Sequence, residues 1–331
     1  MKYFTTVHDV KDADVLVKEA LAIKADPFAT HTYGKNKTIG LIFLNPSLRT
    51  RLSTQKAAQN LGMHVISMNI DKEGWALEFE DGAVMNGNKV EHIKDAASVL
   101  GSYCDIIALR SFPTLENKIL DYGEQVLLQF MKHCKVPLIS LESATLHPLQ
   151  SLADAMTIYE KKKKKRPKVV LTWAPHIKPL PQAVANSFAE WMNVLDVDLT
   201  ITHPEGYELH EDFVKDAYVT NDQNEALRDA DFVYVKNWSS FRDYGKMPAV
   251  KDNWLLNKSR MSLTNNAYLM HCLPVRRNVE LTDELLDSNR SIVQLQAANR
   301  VFAAQAVLKT ILEKNYKKEN ALDQLTELSE L

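Results

Sequence analysis

Short apolar or β-branched segments alternate with polar turns and amphipathic helical stretches from one end of the chain to the other. In the first half, the segments typical of strands are residues 38–44, 64–69, 105–109 and 137–140. In the second half they are residues 169–173, 199–202, 232–235, 268–272 and 292–294, with helical stretches such as 181–192 and 224–230 between them. This alternation predicts an α/β fold of two domains, each with a mostly parallel sheet flanked by helices.

The boundary between the two domains is expected near residue 150. The helix that follows His147 ends in a run of lysines at residues 161–165, and Pro167 then interrupts the pattern. We therefore expect a first domain over residues 1–150 and a second domain over residues 151–296.

The composition excludes several classes of function. The 331 residues carry a formal net charge of -2, which gives no general attraction to nucleic acid or to anionic membranes. The lysine run at 161–165 has no interleaved aromatic residues, so we interpret it as a solvated helix end. No apolar run approaches the roughly 20 residues that span a bilayer, and the N-terminus becomes polar too early for a signal peptide. A cytoplasmic protein is expected.

The cysteine and histidine positions predict neither disulfides nor a metal site. Cys104, Cys134 and Cys272 are odd in number and far apart, so reduced thiols are expected. The histidines show no metal-ligand spacing such as H-E-x-x-H. Neither a Walker loop nor G-x-G-x-x-G occurs in the sequence, which disfavours nucleotides and argues against a nicotinamide dehydrogenase. We predict no metal and no cofactor.

The most informative loop joins a strongly apolar strand to a helix and reads N-P-S-L-R-T-R over residues 45–51. Ser47 is a natural N-cap, so the helix after it would present free N–H groups and the positive end of its dipole. Arg49, Thr50 and Arg51 add hydroxyl and guanidinium donors that suit phosphate oxygens. The loop predicts a phosphate receptor, and the alternative is a capped surface helix with incidental arginines.

Two further loops follow predicted strands, where α/β proteins bind ligands. In residues 142–154, a neutral His147 could donate a hydrogen bond to a polarised carbonyl, and Gln150 offers an acceptor and donors that suit an amide-like group. In residues 271–277, the backbone carbonyls of Cys272 and Leu273 are expected to accept from an amine. We interpret Cys272 as a buried small residue and not as a nucleophile, because the sequence implies no activating His–Asp partner.

Together and in this order, the three loops resemble the aspartate/ornithine transcarbamylase family, whose hallmarks are an S-x-R-T-R loop, an H-P-x-Q segment and an H-C-L-P segment. The resemblance covers nearly the whole chain. It implies a carbamoyl-phosphate domain followed by an amine-substrate domain, and a homotrimer with active sites between subunits. Apolar residues at helical spacing predict a long helix from residue 297, and the resemblance implies that residues 297–331 pack back on the first domain.

The resemblance also assigns roles by position. Carbamoyl phosphate would be bound by Ser47, Leu48, Arg49, Thr50, Trp75, Arg110, His147, Gln150, Cys272, Leu273 and Arg300. Arg49, Arg110 and His147 would stabilise the negative charge that develops on the carbonyl oxygen and on the departing phosphate, and they are the expected catalytic residues. Trp75 resembles the residue that a neighbouring subunit contributes. Its alternative role is that of a partly buried aromatic residue that anchors its own loop.

The acceptor amine is expected to belong to an ornithine whose α-nitrogen is acylated. Ornithine transcarbamylases hold the free α-amino group with an aspartate and an S-M-G segment, whereas residues 235–240 here read V-K-N-W-S-S. The resemblance is closer to the N-acylornithine transcarbamylases, whose amino-acid-binding positions match Glu142, His176, Lys236 and Arg276. An uncharged nitrogen needs no aspartate, and Lys236 could pair with the α-carboxylate.

Position 90 predicts the acyl group. The acetyl-specific enzymes of this branch resemble one another in a glutamate at the place of Val90, and the succinyl-specific enzymes have an apolar residue there. Val90 removes a carboxylate that would repel a succinyl tail. We therefore predict carbamoyl transfer from carbamoyl phosphate to N2-succinyl-L-ornithine, which gives N2-succinyl-L-citrulline and phosphate for arginine synthesis.

Two alternatives stay open at this point. If Glu91 takes the acetyl-type role, N-acetyl-L-ornithine becomes the acceptor. The second alternative is a non-catalytic anion-binding paralogue, against which the joint presence of His147, Gln150 and Arg276 argues.

Overall fold

The computed structural model describes residues 1–329, and the side chains of residue 71 and of residues 314–329 lie outside that description. Two five-stranded sheets, one in each half of the chain, pair their strands in parallel and are flanked by helices. The predicted α/β fold class with two domains is therefore confirmed.

The first sheet and its helices come from the first half of the chain. The strands are β1 (Tyr3–Phe4), β2 (Thr38–Phe43), β3 (His64–Asn69), β4 (Leu77–Glu78), β5 (Glu91–His92), β6 (Ile106–Arg110) and β7 (Leu138–Glu142). The helices are α1 (Ala13–Ala25), α2 (Leu48–Asn60), α3 (Ile70–Glu73), α4 (Ile93–Tyr103), α5 (Lys118–Tyr122), α6 (Gln125–His133) and α7 (Pro148–Lys161). The short strands β4 and β5 pair with each other, apart from the main sheet.

The second sheet follows α7. Its strands are β8 (Lys168–Ala174), β9 (Asp198–Thr202), β10 (Tyr218–Thr220), β11 (Phe232–Asn237) and β12 (Tyr268–Met270). The helices of this half are α8 (Ala183–Val194), α9 (Glu211–Val214), α10 (Gln223–Leu227), α11 (Lys258–Met261), α12 (Asp283–Leu286) and α13 (Val293–Ser329).

The parallel register aligns the carboxyl ends of the strands at one edge of each sheet. The first sheet has the order β1-β7-β6-β2-β3, and the second has the order β10-β9-β8-β11-β12. Arg110 at the end of β6 lies opposite Phe43 of β2 and Glu142 of β7. The central strands are buried along their length, as is usual for a parallel sheet covered on both faces. Loops that leave these strand ends can therefore meet in one place.

Most predicted strands are confirmed, and residues 292–294 are not. Eight of the nine predicted segments correspond to β2, β3, β6, β7, β8, β9, β11 and β12, with ends shifted by a few residues. Residues 292–294 instead lead into α13, which begins at Val293, before the predicted residue 297. Ser291, just before them, makes an isolated bridge to Leu269. A short apolar run cannot by itself distinguish a buried strand from the first turn of a buried helix.

Helix α13 follows the second sheet but packs against α1, α2 and α7. Asn60 Nδ2 donates to Gln305 Oε1 at 2.9 Å, and Asn299 Nδ2 donates to Thr157 Oγ1 at 2.9 Å. This return places Arg300 beside the first turn of α2, where its Nη2 donates to Thr50 Oγ1 at 2.6 Å. The predicted packing of residues 314–331 on the first domain concerns side chains that lie outside the described residues.

None of the helices described is long and apolar enough to cross a membrane. In the same part of the chain, no group of three or more His, Cys, Asp or Glu side chains could hold a metal ion.

Candidate active site

A cavity of about 560 Å³ lies where the carboxyl ends of β2, β6 and β7 face those of β8, β11 and β12. This is the edge at which open parallel sheets bind ligands. Thirteen of the sixteen residues predicted for the site line it: Ser47, Arg49, Thr50, Arg110, Glu142, His147, Gln150, His176, Lys236, Cys272, Leu273, Arg276 and Arg300. The fold thus brings together loops that are far apart in sequence.

One end of the cavity is built to receive an anion. Helix α2 begins at Leu48, and the hydroxyl of its N-cap Ser47 accepts from the Thr50 N–H at 3.4 Å. The positive end of the helix dipole therefore faces the cavity beside the guanidinium groups of Arg49, Arg110 and Arg300. Among the described residues, the Nε atoms of Arg49 and Arg110 are buried without a hydrogen-bond partner. These unpaired donors suit a ligand with several oxygen acceptors.

Arg300 is almost fully buried in this cluster. Burial lowers the pKa of its guanidinium to about 10, with a further contribution from Arg110 and Arg49 that Glu142 opposes. The group stays cationic at neutral pH, so three positive charges converge with little solvent to screen them. A bound anion would relieve their mutual repulsion.

Glu142 joins the anion-binding end of the cavity to its centre. Arg110 Nη1 donates to Glu142 Oε2 in a short, buried ion pair. The same carboxylate oxygen lies 3.6 Å from His147 Nε2. A buried charge of this kind persists only when it is paired, and here Arg110 supplies the pairing.

His147 is a neutral imidazole at physiological pH. Burial lowers the pKa of His147 well below its ordinary value, and the cations of Arg300, Arg110 and Lys236 lower it further. A neutral ring donates from one nitrogen only. The residue precedes α7, whose first position is Pro148, and the loop before it is held by Glu124, which accepts from the Thr145 N–H at 2.8 Å.

A second part of the cavity carries a network around Glu280. Glu280 Oε1 accepts from the Arg276 N–H at 2.9 Å, and Glu280 Oε2 lies 2.9 Å from His271 Nε2. Arg276 Nε donates to His176 Nε2 at 3.2 Å. Burial alone would raise the pKa of Glu280, but the hydrogen bond and charge of His271 bring it below its ordinary value. With Lys236 buried nearby, this part can bind a carboxylate.

Cys272 lines the cavity but does not have the character of a nucleophile. Burial raises the pKa of its thiol above the ordinary value, more than Lys236 lowers it. The thiolate, which is the reactive form, is therefore disfavoured.

Three predicted residues lie outside this cavity. Leu48, Trp75 and Val90 do not line it, and their exposed fractions are 71%, 52% and 66%. Trp75 lies between α3 and β4, and its Nε1 donates to Glu91 Oε2 of β5 at 2.8 Å, so the indole is tied to a neighbouring segment of its own chain. Val90 lies at the end of the loop between β4 and β5, and its N–H donates to Ala76 O at 3.0 Å. Both side chains are on the surface of the chain.

Several lining residues were missed by the sequence reasoning. They are Phe112, Lys178, Leu180, Pro181, Val184, Asn237, Pro274, Val275 and Glu280. Asn237 ends β11 and could have been found by its position at a strand end. Lys178 and Glu280 carry no local signal, because they reach the cavity through loops whose course is set by the tertiary fold.

The site defines a class of transferase. An anion receptor, a neutral imidazole with an amide at the centre, and a basic, carboxylate-binding end together suit transfer of an activated carbonyl group from a phosphate to an amine that carries a carboxylate. Such a site needs no nucleophilic side chain.

Comparisons with known proteins identify the family. Residues 2–160 match the carbamoyl-P binding domain of aspartate/ornithine carbamoyltransferase, and residues 181–311 match its Asp/Orn binding domain. The chain is 53% identical to an N-succinylornithine carbamoyltransferase from Bacteroides fragilis, over 95% of this chain and 99% of that protein. It is 35% identical to an N-acetylornithine carbamoyltransferase from Xanthomonas campestris, over 94% of this chain and 98% of that protein.

A solved structure gives the same result. A crystal structure of acetylornithine transcarbamylase complexed with acetylcitrulline matches with a TM-score of 0.85 and 34% identity, over 94% of this chain and 99% of that chain. The chain belongs to the aspartate/ornithine carbamoyltransferase family and is a carbamoyltransferase.

Proposed function

We propose that this carbamoyltransferase moves the carbamoyl group of carbamoyl phosphate to the side-chain amine of N2-succinyl-L-ornithine, giving N2-succinyl-L-citrulline and phosphate in arginine biosynthesis. The observation that carries the proposal is the cavity in which the anion receptor of α2 and a neutral His147 face the Lys236 and Arg276 end. Each of these parts corresponds to one part of the two substrates.

The phosphate of carbamoyl phosphate fits the N-terminus of α2. Free N–H groups and the hydroxyls of Ser47 and Thr50 supply hydrogen bonds, and Arg49 and Arg300 supply charge. Arg110 is paired with Glu142, and the phosphate offers it a second acceptor. As the phosphate leaves, its growing negative charge strengthens all of these contacts, which is the condition for catalysis.

The carbamoyl group fits between His147 and Gln150. His147, held neutral by burial, donates to the carbonyl oxygen without adding a charge of its own. The amine attacks the carbonyl carbon, the bond to the phosphate oxygen breaks, and the departing phosphate takes the amine proton. Holding the two reactants in line contributes several kcal/mol, about what effective molarities of well-oriented pairs allow.

The acylated amino acid fits the other end. Lys236 or Arg276 can pair with the α-carboxylate, and the Glu142 carboxylate can accept from the amide N–H of an acylated α-nitrogen. The relatives support an N-acyl substrate, since the two described above are named for succinylornithine and acetylornithine.

Val90 supports succinylornithine over acetylornithine. One structural neighbour is an N-acetyl-L-ornithine transcarbamylase in which a glutamate was replaced by valine, complexed with carbamyl phosphate and N-succinyl-L-norvaline. Its TM-score is 0.86 at 34% identity, over 94% of this chain and 100% of that chain. A valine in place of a carboxylate suits a succinyl tail, because like charges at close range repel.

The proposal includes a cytoplasmic homotrimer. The exposed side chains of Trp75 and Val90 would complete the site of a neighbouring subunit, which accounts for their distance from the cavity of their own chain. Cys104, Cys134 and Cys272 are all free, in keeping with a reducing compartment.

An acceptor comparison tests the proposal. Purified protein is incubated with carbamoyl phosphate and, separately, with N-succinylornithine, N-acetylornithine or ornithine, and formation of the ureido product is followed. We expect the highest kcat/KM with N-succinylornithine. A preference for N-acetylornithine would assign that substrate instead, and no product with any acceptor would favour the non-catalytic paralogue.

A further inference from the structure

Asp154 is a buried acid for which the mechanism above has no use. It lies on α7 one turn after Gln150 and has no exposed surface. Its Oδ1 accepts from Gln150 Nε2 at 2.8 Å and from Gln296 Nε2 at 2.7 Å. Among the described residues, its Oδ2 accepts no hydrogen bond of normal geometry, and the hydroxyl of Tyr234 is the polar group that faces the carboxylate there. A buried carboxylate with one unsatisfied oxygen is costly, so its presence calls for a physical reason.

The carboxylate determines which way the Gln150 amide points. An ionised carboxylate only accepts hydrogen bonds, so the group that Gln150 turns toward Asp154 must be its NH2. The amide oxygen of Gln150 then faces the cavity, which this residue lines. A carbamoyl group presents an NH2 with two donors, and the Gln150 oxygen is the acceptor that matches it. A reversed amide would set donor against donor.

Gln296 holds the carboxylate in place. Its Oε1 accepts from the His271 N–H at 2.9 Å, and its Nε2 donates to Asp154. Because a backbone N–H can only donate, each amide in this chain of hydrogen bonds has one orientation. The order runs from the His271 N–H through Gln296 and Asp154 to Gln150, and it ends with an oxygen at the cavity.

We propose that Asp154 is a positioning residue that fixes the Gln150 amide with its oxygen toward the amine of the carbamoyl group. The inference rests on the proposed function, because it concerns recognition of carbamoyl phosphate.

The surroundings of Asp154 make its effect on the orientation of the Gln150 amide dependent on pH. Arg300 from α13, the hydroxyl of Tyr234 from β11 and the thiol of Cys272 face it, besides the amides of Gln150 and Gln296. Burial raises the pKa of Asp154 to about 7, against the opposing effects of the two amides, Tyr234 and Arg300. Below that pH the carboxyl carries a proton and can donate, so it no longer selects one orientation of the Gln150 amide.

A double-mutant cycle measures the role of Asp154 through Gln150. The four proteins are the wild type, Asp154→Ala, Gln150→Ala and the double variant, and kcat/KM for carbamoyl phosphate is determined for each. We expect Asp154→Ala to lower it by about 10- to 100-fold in the wild type, the range that an unsatisfied buried partner gives. In the Gln150→Ala background the same change should cost less than about threefold, since the residue acts through Gln150.

The control and the pH profile separate positioning from a merely structural role. Thr157→Val removes a buried hydroxyl on the same helix that also bonds to α13, and it should leave kcat/KM for carbamoyl phosphate near the wild-type value. Asp154→Asn is the conservative variant, because its amide oxygen accepts at every pH. The KM for carbamoyl phosphate should rise in the wild type as the pH falls below about 7 and should stay level in Asp154→Asn.

The outcomes are distinct. An equal loss from Asp154→Ala in both backgrounds, or identical pH profiles for the wild type and Asp154→Asn, overturns the inference while the proposed function stands. If Asp154→Ala does not fold, the cycle is run with Asp154→Leu, and the profile of Asp154→Asn decides in either case. A wild type that forms no ureido product overturns the proposed function and this inference with it.

Discussion

The stability of the Asp154→Asn variant relative to the wild type should increase as the pH rises from acidic to alkaline. Asp154 is fully buried, and burial raises its pKa from the ordinary 3.8 to about 7. Below pH 3.8 the carboxyl is protonated in the folded and unfolded chain alike. Above it the unfolded chain ionises freely while the folded chain holds the proton, so the folded state loses about 1.4 kcal/mol for each pH unit. The loss ends near pH 7, where the folded chain also ionises.

The size of the effect follows from that interval. Slightly more than three pH units correspond to about 4 kcal/mol in all, and roughly half of this falls between about pH 5.5 and pH 8. The amide that Asp154→Asn introduces cannot ionise, so the variant escapes the loss. Every other titrating group is common to the two proteins and cancels in their difference.

Urea unfolding of both proteins at about pH 5.5 and pH 8 measures the effect. The difference in unfolding free energy, variant minus wild type, should grow by roughly 2 kcal/mol between the two conditions. Parallel stability curves would show that Asp154 ionises in the folded protein as easily as in the unfolded chain. The account of its buried environment would then be wrong.

Three further predictions concern the site. Val90→Glu should shift the ratio of kcat/KM for N-succinylornithine over N-acetylornithine toward the acetyl substrate by tenfold or more, about what one close like-charge contact gives. The control Val15→Glu, at a position on α1 that is 56% exposed, should leave the ratio unchanged. Equal effects of the two changes would refute the role of Val90. The Trp75→Ala and Arg110→Ala variants should each lose most activity. Dissociating the two variants into subunits and remixing them should restore part of the activity, since a shared site could then receive both native residues. A mixture no more active than its components would contradict a shared site. His147 stays neutral through the physiological range because burial and neighbouring cations lower its pKa well below the ordinary value. The kcat of His147→Asn divided by the kcat of the wild type should therefore not change between about pH 6 and pH 8. A ratio that changes tenfold over this range would show that the imidazole titrates there.

Much of the fold could be predicted because its signals are local. Parallel strands buried on both faces are continuous apolar runs, which is why the segments for β2, β6 and β11 were found. Strand β1 was missed because it is two residues long, and β10 was missed because its three residues are mostly exposed and form no buried apolar run. Residues 292–294 were assigned wrongly because their apolar side chains suit the start of a buried helix equally well.

Residues of the candidate site could be predicted only where they belong to a recognisable sequence motif. Ser47 and His147 stand in loops with recognisable chemistry directly after strands. The contact of Asp154 with Gln296 joins residues 142 positions apart in sequence, and no local pattern encodes it. Glu280 also belongs to no recognisable motif, although its partner His271 lies in one. Burial and pKa are properties of the assembled fold, so the neutral state of His147 also required the structure.

Transfer of the labelled carbon of ¹³C-carbamoyl phosphate is the measurement that tests the central claim most directly. The purified protein is mixed with ¹³C-carbamoyl phosphate and N-succinylornithine, and the ¹³C resonance is followed by NMR against a sample without protein. The account predicts that the label moves from the carbamoyl phosphate signal to the ureido carbon on the side-chain nitrogen, with one phosphate released for each transfer. Label that reaches only carbamate or bicarbonate, at the rate of the sample without protein, would contradict it.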